Sequence, residues 1–196
     1  MIDSIKKKNI SLPVCVVADI QTMGKGSRGN SWIGKEGNLF MSLGVPRRML
    51  PDDLKLESCS IYFAFLLKEY LSQCGSKVWL KWPNDFYLDD VKIGGVITNL
   101  VGETLVCGIG MNLHSAPEDF GKIDIRITPH EVVSGFCGVF EKLPEWKQIF
   151  SKYQLEFEHS RRFNTHIGDS KIKLEIASLC EDGSLEYDGQ RIFSLR

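Results

Sequence analysis

The chain has 196 residues, 43% hydrophobic and 25% charged, with a formal net charge of −1 at pH 7. That length suits one domain, or one domain with a small appendage, and it is enough to bury a core. The balanced charge excludes a molecule drawn as a whole to nucleic acid or to an anionic membrane, and no apolar run reaches membrane-spanning length.

Met1 to Lys8 is polar and basic and carries no apolar stretch, so it does not read as a signal peptide. Val14 to Ala18 is a short β-branched run that predicts a buried strand. A polar, glycine-rich stretch follows from Gln21 to Gly37, and then a second strand from Asn38 to Val45. Asp52 and Asp53 open a helical pattern in which Leu56, Ser60, Phe63, Leu67, Tyr70 and Leu71 recur, with Gly75 as its stop. Lys77 to Lys81 predicts a strand ended by Pro83, and Phe86 to Asn99 a hairpin turning at Asp89-Asp90. Leu105 to Gly110 pairs with it across Gly102. Thr128 to Val139 and Pro144 to Phe157 read as helices, the second with Pro144 in its first turn. The tail alternates as Ile172, Leu174, Ile176, then Leu185, Tyr187 and Ile192, punctuated by Gly168, Gly183 and Gly189, which predicts a small all-β unit. Strands and helices mixed, then strands alone, make an α+β body with a β tail, divided near Arg162–His166. The six cysteines form no C-x-x-C pair and sit mostly in apolar runs, which points away from zinc and toward a reduced, cytoplasmic protein.

Three strand ends carry glycines beside polar groups. Gly24-Lys25-Gly26-Ser27-Arg28-Gly29 fits G-x-G-x-x-G, but Asn30 to Gly37 has no helical period, and a dinucleotide fingerprint needs a helix N-terminus there. A phosphate-binding P-loop would need Ser or Thr at position 26 and glycine at position 19, where Gly26 and Asp19 stand. Taken alone, the segment reads equally as an anion-handling loop of backbone amides and cations or as a surface loop. Lys81-Trp82-Pro83-Asn84-Asp85 is a stiff turn at a strand end, and alone it reads as a turn bonding its own backbone. Lys92-Ile93-Gly94-Gly95 and Gly108-Ile109-Gly110-Met111-Asn112 place further glycines within strands, where a ligand or another backbone comes close. Together the three imply one pocket with narrow backbone walls.

In order, Gln21-Thr22, the glycine loop, Trp32, Lys81-Trp82-Pro83-Asn84-Asp85, Lys92 through Ile97 and Gly108 through Asn112 resemble the pattern of biotin–protein ligases. The resemblance covers roughly Ala18 to Leu113, and its most specific part is Lys-Trp-Pro-Asn-Asp followed by Lys-x-x-Gly. Lipoate ligases and octanoyl transferases share the implied fold but not that string. The tail, with Glu181-Asp182-Gly183-Ser184-Leu185, Gly189 and Ser194-Leu195-Arg196, is similar to the small SH3-like C-terminal domain of the same family. The implied architecture is a catalytic domain over residues 1–162 and an SH3-like β-barrel over residues 163–196. The catalytic domain would have a mixed β-sheet of the class II synthetase/biotin ligase type with helices on one side. No helix-turn-helix domain fits before Val14, so DNA-binding repression is not expected.

The resemblance implies ATP-dependent activation of biotin to biotinyl-5′-AMP, with Mg²⁺ on the phosphates. Biotin then passes to a lysine of a biotin carboxyl carrier protein, belonging to acetyl-CoA carboxylase or another biotin-dependent carboxylase. Neither specific DNA binding nor a membrane is implied, and the chain would act as a monomer or homodimer. Lys92 would neutralise the carboxylate and α-phosphate, and Asp85 would orient or deprotonate the acceptor lysine. Gln21, Gly24, Lys25, Gly26, Lys92, Gly95, Gly108 and Gly110 would hold biotin. Lys25, Arg28, Trp32, Asn84, Lys92, Asn112 and Arg196 would hold the nucleotide. Two features depart from the family. Lys25 and Ser27 stand where arginines are usual, so that either Arg28 supplies the missing charge from the next position or the adenylate escapes faster. Asp3-Ser4 stands where the family has Ser-Thr-Asn, and the usual helix before Leu12-Pro13 is expected to be largely missing. Transfer of lipoate or octanoate, and a non-catalytic binding module, remain as alternatives.

Overall fold

The structure is a computed structural model that describes residues 1–26, 31–32, 34–167 and 170–193. A short helix α1 (Ile2–Lys6) leads into β1 (Val14–Val17), the two-residue strands β2 (Gly24–Lys25) and β3 (Ser31–Trp32), and β4 (Leu39–Pro46). Helix α2 (Cys59–Gln73) is followed by β5 (Trp79–Lys81), β6 (Asp85–Leu88), β7 (Val91–Val101) and β8 (Thr104–Met111). Helices α3 (Pro129–Phe140) and α4 (Trp146–Phe157) then precede the tail strands β9 (Asn164–Ile167), β10 (Ser170–Lys173), β11 (Ser178–Leu179), β12 (Leu185–Tyr187) and β13 (Gln190–Ile192).

Six strands make one sheet in the order β1-β4-β8-β7-β6-β5, antiparallel at every junction. Its hairpins turn where the sequence places them. Asp89 takes a φ of 48° between β6 and β7, and Gly102 a φ of 58° between β7 and β8, a region that small polar residues and glycine enter at least cost. The two-residue period of the strands sorts their side chains. Leu39, Met41, Leu43 and Val45 of β4, with Leu105, Cys107, Ile109 and Met111 of β8, enter one core with Phe63 and Leu67 of α2, Phe136 of α3 and Tyr153 of α4. Helix α2 is buried almost all round from Cys59 to Leu67, the state expected of a helix apolar on every face. Helices α2, α3 and α4 thus cover one face of the sheet, and the opposite face is left for the site.

Helix boundaries differ from the sequence reading in instructive ways. Asp53 does not open α2, which begins at Cys59 after a 3-10 turn over Leu56–Ser58. Its carboxylate instead accepts hydrogen bonds from the backbone amides of Trp146 (2.9 Å) and Lys147 (3.0 Å), capping α4 from 93 and 94 residues away. An acidic side chain stabilises whichever free helix N-terminus it reaches, and sequence neighbourhood does not decide which that is. Pro144 lies before α4, whose N-cap is Glu145. Thr128 and Glu131 form a capping box at α3, with Pro129 in its first turn. A helix does precede Leu12-Pro13, in the short form of α1.

Among the described residues the tail forms a two-stranded sheet of β9 and β10 and a three-stranded sheet of β11, β12 and β13. Its turn over residues 180–184 is held by hydrogen bonds from Gly183 N to Cys180 O and from Cys180 N to Ser184 O, each 2.8 Å. The Asp182 carboxylate accepts from Ser184 N (3.1 Å), Ser184 Oγ (2.5 Å) and Arg191 Nη2 (2.9 Å). Burial raises the Asp182 pKa, but these donors outweigh it and hold the group below the ordinary carboxylate value of 3.8. The cysteines are free thiols. Burial pushes Cys59 up to about 12 and Cys15 up to about 11, which keeps both protonated and of low reactivity.

Asp53→Ala is expected to lower the unfolding free energy by about 1 kcal/mol, read from the urea midpoint; an unchanged midpoint would remove the carboxylate as a cap. Because the folded-state pKa of Asp182 is depressed, its contribution is present at neutral pH and is lost as pH falls below 3.8. Asp182→Asn should therefore unfold at lower urea than the parent chain at pH 7, with the gap narrowing as pH falls below 3.8. A gap of constant size would show that the carboxylate charge contributes nothing.

Candidate active site

On the sheet face away from α2, α3 and α4 lies a cavity of about 490 Å³. Its floor comes from alternate residues of three adjacent strands: Ser42 of β4, Gly108 and Gly110 of β8, and Gly95, Ile97 and Asn99 of β7. These are the positions between the core residues of the same strands. Glycine at 95, 108 and 110 lowers the floor to backbone level, the narrow-walled pocket that the sequence pattern implied.

One irregularity brings the charged groups to this face. Lys92 and Gly95 are three residues apart, and in a regular strand they would point to opposite faces. The β6–β7 register slips between Phe86 and Tyr87, so that Phe86 opposes Gly94 while Tyr87 opposes Lys92. The extra residue is a β-bulge. Lys92 and Gly95 consequently both line the cavity, while Ile93 is fully buried in the core. Asp85 sits opposite Gly95 across the ladder. Lys92 Nζ donates to Asp85 Oδ1 at 2.6 Å, with both side chains 26% exposed. A Cβ on Gly95 would stand 3.0 Å from Asp85 Oδ1 and 3.8 Å from Lys92 Cε, so glycine there makes room for the pair.

The glycine loop meets the cavity from above. Gly24 pairs with Trp32, and Lys25 with Ser31, in the short β2–β3 ladder. Gln21, Gly26 and Trp32 line the cavity. A Cβ on Gly24 would collide with the Trp32 carbonyl oxygen and stand 2.6 Å from Gln21 Oε1, so glycine lets the ladder and Gln21 close up. The Trp32 ring lies over Gly110, where a Cβ would be 3.2 Å from Trp32 Nε1, and it meets Phe120 edge-on at 5.8 Å. Trp32 Nε1 is buried and makes no hydrogen bond to the described residues.

The two asparagines singled out in the sequence are engaged by the scaffold. Asn84 lines the cavity, but its side-chain amide donates to Val96 O, and Val96 N donates back to Asn84 O at 3.0 Å. Asn112 is outside the lining; its Nδ2 donates to Gly121 O at 3.0 Å, and its backbone bridges Ile93 and Ile123. Its Oδ1 is buried without a partner among the described residues. Gly24 is likewise not in the lining. The Lys25 side chain, Ser27, Arg28 and Arg196 lie outside the described residues.

Other residues of the site had no signal in the sequence beyond the Asp3-Ser4 pair. Met1, Ile2 and Asp3 of the N-terminal segment line the cavity together with Asn99 and Val106, because the first helix lies against the face that the glycines leave open. Asn38 is 3% exposed, and its Oδ1 accepts from the amides of Leu113 (3.0 Å), His114 (2.9 Å) and Ser115 (3.2 Å). It thereby turns the chain beyond β8, a role marked only by an asparagine at the start of a strand pattern.

A model of the biotin/lipoate A/B protein ligase family matches residues 2–114. The bifunctional ligase/repressor BirA of Escherichia coli is 34% identical over 104 residues, which is 50% of this chain and 32% of that protein. The biotin–[acetyl-CoA-carboxylase] ligase of Paracoccus denitrificans is 32% identical over 131 residues, covering 63% of this chain and 53% of the relative. This chain therefore spans about a third to a half of those two proteins. A crystal structure of the biotin acetyl coenzyme A carboxylase synthetase of Helicobacter pylori, with bound biotinylated ATP, superposes with a TM-score of 0.92 at 38% identity. That superposition covers 97% of this chain and 91% of the other. The family model over residues 2–114 and the superposition across 97% of the chain agree, and the chain belongs to the biotin/lipoate A/B protein ligase family.

Proposed function

We propose that this chain activates biotin with ATP to biotinyl-5′-AMP and transfers the biotinyl group to a lysine of a biotin-acceptor protein. The observation that carries the proposal is the Lys92–Asp85 pair, 2.6 Å apart at the wall of a glycine-floored cavity. In the first step a carboxylate oxygen of biotin attacks the α-phosphorus of ATP, and the bond to the departing pyrophosphate breaks. Two anions must meet, so the step needs positive charge and alignment more than a protein nucleophile. The Lys92 ammonium, a compact charge with several donors, would move from Asp85 to the reacting oxygens. The Trp32 indole N–H supports the same reading: it is a buried donor without an acceptor among the described residues, and such a donor is satisfied when a ligand oxygen meets it. In the second step the acceptor amine attacks the acyl carbon, AMP leaves, and the amine proton passes to a base, for which Asp85 is in place.

Mg²⁺ would enter with the nucleotide as part of the substrate, held by its phosphates. Among the described residues no three His, Cys, Asp or Glu side chains gather as a ligand set, which fits an ion carried by ATP better than a resident one. The acceptor would be a carboxyl carrier protein of a biotin-dependent carboxylase, a proposal supported by the activity named for the Paracoccus relative. The family also embraces lipoate ligases, so the acid is tested directly. Purified chain with ATP, Mg²⁺ and an acceptor domain is offered biotin, lipoate or octanoate. ATP-dependent labelling by biotin alone is the expected result; labelling by lipoate or octanoate alone would replace the substrate.

Lys92→Ala is expected to reduce biotin-dependent pyrophosphate release about 10²–10³-fold while the circular dichroism spectrum and melting temperature hold. A parental rate in that variant would sink the assignment. Asp85→Asn should slow transfer from pre-formed biotinyl-5′-AMP about 10²-fold, more than it slows adenylate formation. Equal slowing of both steps would mean that Asp85 acts only through Lys92.

A further inference from the structure

Three consecutive carbonyl oxygens of the tail turn accept hydrogen bonds from three buried side chains of the body. Trp146 Nε1 donates to Glu181 O at 2.9 Å, Ser58 Oγ to Asp182 O at 2.7 Å, and Trp82 Nε1 to Gly183 O at 2.8 Å. The donors come from α4, from the residue before α2, and from the Lys81–Asp85 turn. Ser58 is 0% exposed, Trp82 1% and Trp146 6%. Gly183 has a φ of 77°, and a Cβ there would stand 2.6 Å from Ile61 Cδ1 and 3.4 Å from the Trp146 ring, so the turn is seated tightly among body side chains. Asp182 and Arg191 brace it from behind.

Of the three donors, only Trp82 belongs to the segment that carries Asn84 and Asp85. Its backbone is held as well, since Trp82 N donates to Ser160 Oγ at 3.0 Å and Ser160 Oγ to Leu80 O at 3.3 Å. The turn at 82–83 is thus pinned at its indole by the tail and at its amide by the segment after α4. Two residues on, Asn84 locks to Val96, and Asp85 meets Lys92. We infer that Trp82 is a positioning residue: the tail carbonyl at Gly183, acting through the Trp82 indole, fixes the turn that aims Asp85 and, through it, Lys92. The inference rests on the biotin-activation reading above. It assigns the tail turn a part in catalysis although Glu181, Asp182 and Gly183 do not line the cavity. An alignment error of about 1 Å at reacting atoms costs on the order of 10²-fold in rate, so a single strut of this kind has a measurable effect.

The test compares three variants that each remove one donor to the same turn: Trp82→Phe, Ser58→Ala and Trp146→Phe. All three should lower the melting temperature. Only Trp82→Phe should reduce kcat for biotin-dependent pyrophosphate release, by on the order of tenfold, with KM for ATP changed by less than about threefold. Asp182→Asn, which loosens the turn without touching Trp82, should lower kcat in the same direction by less, and it carries the test if Trp82→Phe does not fold. Amide hydrogen exchange over residues 84–96, measured without ligand, should rise in Trp82→Phe and not in the other two donor variants. A parental kcat in Trp82→Phe, or equal losses of kcat and protection in all three donor variants, would overturn the inference. If the parental chain releases no pyrophosphate yet shows this exchange pattern, the strut stands and the activity reading falls.

Discussion

The candidate site depends on one interruption of the two-residue period of a strand. Along β7 and β8 the period assigns alternate residues to the helix-covered core and to the open face. If it ran unbroken through Lys92, the ammonium and the glycine at 95 would stand on opposite sides of the sheet. The bulge between β6 and β7 absorbs one residue, Ile93 goes to the core, and Lys92 joins Asp85 above the glycine floor. The remainder of the site follows from this placement. Gly95 must lack a side chain because Asp85 and Lys92 occupy the space beside it, and Gly110 must lack one because Trp32 lies there.

Much of this was legible in the sequence. Strand and helix order followed from periodicity, and the glycine-bearing strand ends told of a backbone-walled pocket before any geometry was known. What sequence period could not convey was the facing of Lys92, since a bulge adds one residue without altering composition. The role of Asp53 was equally hidden: its charge marked a helix start, but the helix lies 93 residues further on. The family resemblance gave Asn84 and Asn112 to the nucleotide. In the fold their side-chain amides serve Val96 and Gly121. Short polar side chains at strand ends bond nearby backbone as readily as a ligand.

The site has two kinds of wall. Strands β4, β7 and β8, packed on the helices, make a floor whose shape is set by the core. Above it lie the short α1 and the two-residue ladder of β2 and β3, elements too small to bury a core of their own. The Lys92–Asp85 pair stands on the rigid part, and Met1, Ile2, Asp3 and Trp32 line the cavity from the lighter part.

The docking of the tail turn also has a consequence in time. Trp82 and its acceptor at Gly183 are 101 residues apart, and Ser58 and Asp182 are 124 apart. Contacts so distant in sequence form late. A chain growing at about 5–20 residues per second leaves the Trp82 indole without its acceptor for about 5–20 seconds after that tryptophan is added. During this interval the sheet can pair and the glycine floor can form, but the Lys81–Asp85 turn lacks both anchors until Ser160, 78 residues after Trp82, is added, and its indole anchor until Gly183 follows. The emerging protein therefore acquires its pocket before it acquires its aim.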